Sequence, residues 1–259
     1  MEFNTLLFVK EDGIAIITLN RPKTYNAINE ELIAELDQAM DAIIADAEIK
    51  AVIITGGTRV FAAGADIQAM STMGTMQAER FVENCKTTFD KIYRLDRPVI
   101  AAIGGLALGG GCELAMVCDI RIASAGSQLG QPEINLGIIP GGGGTQRLTR
   151  IVGSGWARYL LMTGKNIDAD TALRIGLVNA VVPKEQLMEE ARKIAVGLAS
   201  KAPLAMKAIK DCVNYGEDVD LNSGLKYELK TWAGLFSTED QTEGMTAFLE
   251  KRQPEYKGK

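Results

Sequence analysis

Apolar and polar positions along this chain switch between a period of about two and one of about 3.6 residues, and the switches mark its elements. Residues 6–9 and 14–19 are extended apolar runs on either side of Glu11-Asp12-Gly13, whose turn chemistry joins them as a hairpin. Asn29 then stands as a helix cap. Leu32, Ile33, Leu36, Met40, Ile43 and Ile44 recur on one face behind it, which predicts a helix over 30–45. A strand over 51–55 closes at Gly56-Gly57. A second helix, from about 76 to 93, carries Phe81, Cys85, Phe89 and Ile92 on its inner stripe, and another buried strand covers 99–103. Strand, helix, strand, helix, strand is the order of an α/β protein with parallel strands. After Pro183 the strand signals stop, and 184–201, 203–215, 221–236 and 239–252 read as helices. The expected organisation is an α/β core over residues 1–195 and a helical region over 196–259, without a fixed-period repeat.

Glycine interrupts this rhythm at 104–105, 109–111 and 141–144, where backbone must approach something closely. No register of these clusters gives GxGxxG, and Gly164-Lys165 has no glycine five positions before it, so dinucleotide and P-loop readings both fail. What remains is a strand leading through a glycine turn into an apolar helix that begins near Gly110. Such a turn faces free N–H groups and the positive end of a helix dipole, an arrangement suited to an anion or an oxyanion.

Composition narrows the chemistry. With 259 residues, 47% hydrophobic and 24% charged, the chain can bury a full core and is not a disordered type. Its 28 basic and 33 acidic residues leave a formal charge of -5, with no basic excess for a nucleic-acid backbone, so no nucleic-acid partner is expected. Histidine is absent. That removes Ser-His-Asp and Cys-His relays and the histidine-dependent zinc and iron sites, and leaves proton transfer near neutral pH to carboxylates, Lys, Tyr, Cys or water. The four cysteines form no CxxC pair and read as reduced thiols. No uncharged run approaches the roughly 20 apolar residues of a membrane span, and Met1-Glu2 opens without a leader pattern. A cytoplasmic protein with no membrane partner is expected.

Four acids then compete for attention. Glu113 lies in the first turn of the glycine-led helix among Leu114, Ala115, Met116 and Val117. It either complements the helix dipole or, as a carboxylate in apolar surroundings with a raised pKa, serves as an acid or base. Glu133, after Pro132, is either a solvated loop or cap residue or a second acid. Asp66 is most simply a helix cap, and Asp119 ends its helix or makes a structural pair.

At these residues the chain resembles the enoyl-CoA hydratase/isomerase, or crotonase, superfamily. Residues 100–119, IAAIGGLALGGGCELAMVCD, are similar to its signature almost position for position. Four more segments match in order: NRP at 20–22, FAAGADI at 61–67, GQPEINLG at 130–137 and PGGGGTQRL at 140–148. The resemblance runs from the first hairpin to AFLEKR at 247–252, and short-chain bacterial 3-hydroxybutyryl-CoA dehydratases are the branch most similar, including STEDQ at 237–241. It implies a spiral of ββα turns with a helical C-terminal region that assembles a trimer or a dimer of trimers. It implies acyl-CoA thioesters as substrates, with coenzyme A part of the substrate and no other cofactor or metal. By the same resemblance, the N–H groups of Ala65 and Gly110 form an oxyanion hole, and Ala63, Ala65, Asp66, Ile67, Gln68 and Gly110 line the binding stretch. The resemblance also implies that Glu113 works on the water that adds to C3, that Glu133 exchanges a proton at C2, and that Trp232 and Lys251 help shape the coenzyme A end. The implied activity is reversible syn hydration of short trans-2-enoyl-CoA. Two alternatives remain open: a double-bond isomerase of the same fold, and a non-enzymatic acyl-CoA or RNA-binding relative. One departure from the family pattern is Gly142, where relatives often carry Ala or Phe.

Overall fold

A computed structural model describes residues 2–259. The first hairpin pairs β1 (Leu6–Glu11) with β2 (Ile14–Leu19) in antiparallel register, Leu6 opposite Leu19 and Glu11 opposite Ile14. Its two-residue turn, Asp12-Gly13, takes positive φ at both positions, which a glycine and an aspartate tolerate. In α1 (Glu30–Ala45) the Asn29 side chain accepts the Leu32 N–H at 3.0 Å, as the capping reading expects. Its buried stripe is Leu32, Ile33, Leu36, Ala39, Met40 and Ile43. Ile44 is the exception: it lies a further 100° round the helix and is half exposed.

Three ββα turns follow. They are β3 (Ala51–Thr55), β4 (Val60–Ala62) and α2 (Ile67–Met70) with α3 (Thr75–Tyr93); β5 (Val99–Ile103), β6 (Leu106–Leu108) and α4 (Gly110–Met116); and β7 (Ile120–Ser124), β8 (Gln128–Gly130) and α5 (Gly144–Thr163). A short 3₁₀ turn, Pro132–Leu136, precedes α5, which is itself interrupted at Gly153. The chain continues through β9 (Ile167–Asp168), α6 (Ala169–Arg174), β10 (Ala180–Val182), α7 (Leu187–Ala199), α8 (Pro203–Gly216), α9 (Leu221–Leu235) and α10 (Glu239–Glu250). The first strand of each turn joins a six-stranded sheet, β1-β2-β3-β5-β7-β10, and the second joins a four-stranded one, β4-β6-β8-β9. In the larger sheet every neighbour pair except the hairpin is parallel. This repetition is the spiral of ββα turns.

β3 and β5 are buried at every position because helices cover both faces of the larger sheet. Leu32, Leu36 and Phe89 of α1 and α3 pack on one side, and Leu187, Ala191 and Ala195 of α7 pack on the other with Ile16, Ile53 and Ile100. The boundary expected after residue 195 therefore falls inside α7, and the chain leaves the sheet only after Ala199. The four helices expected after Pro183 are α7 to α10. Lys210 of α8 ties them to the core: its Nζ reaches Asp119 Oδ2 at 2.8 Å and the carbonyls of Ile92 and Arg97 at 3.4 and 3.3 Å. Asp119 also accepts the Val99 N–H at 2.7 Å, which makes it the structural pair that one of its two readings expected. Among the described residues no helix is long and apolar enough to cross a membrane.

Candidate active site

The glycines at the strand-to-helix crossings explain how a site forms at one end of the smaller sheet. At Gly111 an added Cβ would collide with the Ala62 backbone, so α4 can lie directly on β4 only with glycine there. Its N-terminus then faces the segment 63–66, and a Cβ on Gly110 would stand only 3.6 Å from the Ala65 nitrogen. That segment is tightly held. The Ala63 N–H donates to Tyr25 O at 3.0 Å, the Ile28 N–H to Gly64 O at 2.8 Å, and the Asp66 N–H to Ile28 O at 2.8 Å. Ala65 lies between these bonds, and Gly110 opens its helix, so each N–H is left without a protein acceptor among the described residues.

Residues 21–26, beginning in the NRP segment, supply the supports. Arg21 Nη2 contacts Asp66 Oδ2 at 3.2 Å, and Asn26 Nδ2 donates to Val60 O and Phe61 O at 2.9 and 3.1 Å. Asp66 is the expected cap, accepting the Ala69 N–H at 3.3 Å. Its carboxylate is engaged on both sides.

A cavity of about 150 Å³ opens beside the two free N–H groups. Ala63, Ala65, Ile67, Gly110, Glu113 and Glu133 all line it, as do Phe81, Val82, Cys85 and Phe89 from α3. Its rim is apolar, with Ile67, Ile138 and Ile139 exposed. Gln68 sits just outside on α2, exposed and not in the cavity wall. Neither Trp232 nor Lys251 lines the cavity. Trp232 is 59% exposed on α9 against Phe236, and Lys251 is the left-handed residue that ends α10. Both stand apart from the residues that line this cavity.

The two glutamates sit in unlike surroundings. Glu113 is 4% exposed, and its Oε1 accepts the Gly144 N–H at 2.7 Å. Burial pushes its pKa up from the ordinary carboxylate value; the N–H groups of Gly144 and Gly142 and the charge of Arg147 oppose that push. Three glycines make the room. A Cβ on Gly142 would stand 2.8 Å from Glu113 Oε2 and 3.1 Å from Phe89, and one on Gly144 would stand 2.9 Å from Glu113 Oε1. Gly109, at φ +49°, leaves the same space for Glu133, whose Oε1 would be 2.8 Å from an added Cβ.

Glu133 lies in the 3₁₀ turn and is partly buried. Burial first, and then the neighbouring Glu113, push its pKa up to about 7. Its solvated-loop reading is therefore overturned by the wall of the cavity. The buried Gln131 amide, turned with its nitrogen toward Glu133, donates to the two carboxylate oxygens at 3.1 and 3.2 Å. Burial pushes the Cys85 and Cys112 thiols up to about 12, which keeps both uncharged beside the pair.

Gln131 and Arg147 were not singled out by sequence reasoning. Each lies in one of the five motifs, but the direction of the Gln131 amide and the nearness of Arg147 to the loop that holds Glu113 appear only in space. Among the described residues no group of His, Cys, Asp and Glu has the arrangement of a metal site.

This fold brings paired carboxylates and free N–H groups to one apolar cavity, an arrangement suited to acid–base chemistry on a carbonyl compound. Residues 9–259 match the family described as enoyl-CoA hydratase/isomerase, and the chain belongs to that family. It is 49% identical over 256 residues to the short-chain-enoyl-CoA hydratase of Clostridium acetobutylicum, covering 98% of each chain. It is 46% identical over 257 residues to the crotonyl-CoA hydratase of Syntrophomonas wolfei, covering 99% of each. The crystal structure of enoyl-CoA hydratase from Bacillus anthracis superposes with a TM-score of 0.95 at 41% identity, over 99% of this chain and 100% of that one.

Proposed function

We propose that this protein catalyses the reversible syn hydration of short trans-2-enoyl-CoA thioesters to 3-hydroxyacyl-CoA. The observation that carries the reading is the placement of two glutamates, both pushed up by burial, in the wall of one small apolar cavity beside two free N–H groups. Burial raises the pKa of Glu113, but Glu113 is the partner whose carboxylate meets fixed backbone N–H donors, and in its ionised form it takes a proton from water as the water oxygen bonds to C3. The electron pair of the C2–C3 double bond moves toward the thioester, and the Ala65 and Gly110 N–H groups hold the oxygen that gains charge. Glu133, protonated up to about pH 7, delivers a proton to C2. One proton has entered the pair and one has left it, and transfer from Glu113 to Glu133 restores the start. Water and two carboxyls supply every atom that moves, so the route uses no added metal or redox cofactor.

The names of the relatives from Clostridium and Syntrophomonas support a short acyl group, and so does a cavity of about 150 Å³ lined in part by Phe81 and Phe89. A homo-oligomer is part of the proposal, resting on the apolar stripe of α9 taken up below. The test is purified protein with crotonyl-CoA. Loss of the conjugated enoyl thioester absorbance with formation of 3-hydroxybutyryl-CoA is expected. Conversion of a 3-enoyl-CoA to crotonyl-CoA without hydration would assign the isomerase reaction instead.

A further inference from the structure

The loop that holds Glu113 is itself held from behind. Gly144 and Gly142 present their N–H groups to the carboxylate, yet a run of four glycines has little stiffness of its own. Arg147, in the first turn of α5, folds back over this run. Its Nη1 donates to the Gly142 carbonyl at 3.2 Å, and its Nη2 donates to Asp90 Oδ1 on α3 at 3.0 Å. Its guanidinium carbon lies 5.3 Å from the centre of the Tyr93 ring. Gly143, at φ +109°, is where the side chain crosses, since a Cβ there would collide with Nη1. One planar cation thus spans the loop and the helix that carries Cys85 and Phe89 to the cavity.

We propose that Arg147 is a positioning residue for the reaction, clamping the 141–144 loop to α3 so that its N–H groups stay aimed at Glu113. The inference rests on the hydration reading of the site. Arg147 touches neither the cavity nor any reacting atom, and it acts through the loop and through its charge. Around Glu113 the other groups are Glu133 from the 3₁₀ turn, Cys85 from α3 and Cys112 from α4, with both thiols uncharged. Among the described residues, Arg147 is the cation whose charge favours ionised Glu113. Behind it lies a second cavity lined by Asp119, Arg150, Lys210 and Glu217. There Lys210 pairs with Asp119 at 2.8 Å, Tyr93 donates to Glu217 at 3.1 Å, and Arg150 stands 3.7 Å from Asp218.

The test compares pH profiles of crotonyl-CoA hydration for the wild type, Arg147→Met and Arg147→Lys, with thermal melts to establish folding. Wild-type hydration comes first: its absence removes the reading beneath the inference, before any variant is compared. Arg147→Met is expected to lose about 10–100-fold in kcat with KM little changed, as a shifted base would cause. Its acid limb should move to higher pH, because the cation favouring the carboxylate is gone. Arg147→Lys keeps the charge but cannot span both acceptors, so the acid limb should return toward the wild-type position while kcat stays reduced. If the Met variant does not fold, the Lys variant decides alone. A folded Arg147→Met enzyme with an unmoved acid limb, or an Arg147→Lys enzyme with full kcat, overturns the proposal.

Discussion

At the scale of single residues, the site depends on what surrounds two otherwise ordinary glutamates. Both are pushed up by burial, and Glu133 reaches about 7, far from the usual carboxylate range. Because the two are neighbours, they lose protons as a pair, and the apparent pKa values belong to the pair. Hydration needs one proton on it, so the rate should rise as the first proton leaves and fall as the second leaves. A bell-shaped kcat/KM profile for crotonyl-CoA is expected, with one limb near pH 7 that disappears in Glu133→Gln. A flat profile from pH 5 to 9 would contradict the coupling. Much of this was legible in the sequence through the absence of histidine, which left the work to carboxylates. The environment that separates Glu133 from a loop residue was not, because Gly109 approaches it only in three dimensions and the turn's conformation decides where the Gln131 amide, two residues before it, points. Gly142 shows the same limit. As a departure from a motif it left the pocket shape open, whereas in space it is the gap occupied by Glu113 Oε2 and the edge of Phe89.

At the scale of elements, long amphipathic segments announced themselves and short strands did not. The helix of residues 30–45 has enough positions for a period to show, and the strands over 51–55 and 99–103 show as short apolar runs closed by turn residues. Strands of two or three residues, such as β4, β6, β8 and β9, have too few, and only their pairing in space reveals them as a sheet. The attachment of α8 was equally hidden, since Lys210 and Asp119 lie 91 residues apart. Lys210 is buried, and burial pushes the Asp119 carboxyl up while Lys210 holds it down. Lys210→Met should leave that carboxylate without its cation. The expected cost in unfolding free energy is about 2–3 kcal/mol, below the roughly 3–5 of a wholly buried pair because Asp119 keeps some contact with solvent. Adding Asp119→Asn should return part of the loss. Urea melts of the single and double variants measure it, and additive losses would remove the coupling.

At the scale of the whole molecule, the C-terminal helices leave an apolar face uncovered. Leu221, Leu225, Leu229, Trp232 and Phe236 recur at spacings of three and four along α9 and its end, and all are exposed. A stripe of that extent on one protomer fits an interface between copies better than a solvated surface. Sedimentation at micromolar concentration is expected to give a trimer or a dimer of trimers, and Leu225→Glu with Leu229→Glu should shift it toward monomer. A wild-type monomer would contradict the assembly. The order of five motifs pointed to the fold and the family across nearly the whole chain. It did not show which surfaces of the spiral stay open, because exposure depends on how α8 to α10 pack.

The central claim is that Glu113 and Glu133 act as one acid–base unit on an enoyl thioester. Single-turnover hydration of crotonyl-CoA by the wild type, Glu113→Gln, Glu133→Gln and the double variant tests it most directly, with bound crotonyl-CoA measured in parallel. Each single variant should lose about 10²–10⁴-fold or more in rate while still binding, and the double variant should lose little beyond the worse single one, as for partners in one step. Near wild-type hydration by a folded Glu133→Gln enzyme, or losses that multiply in the double variant, would contradict it.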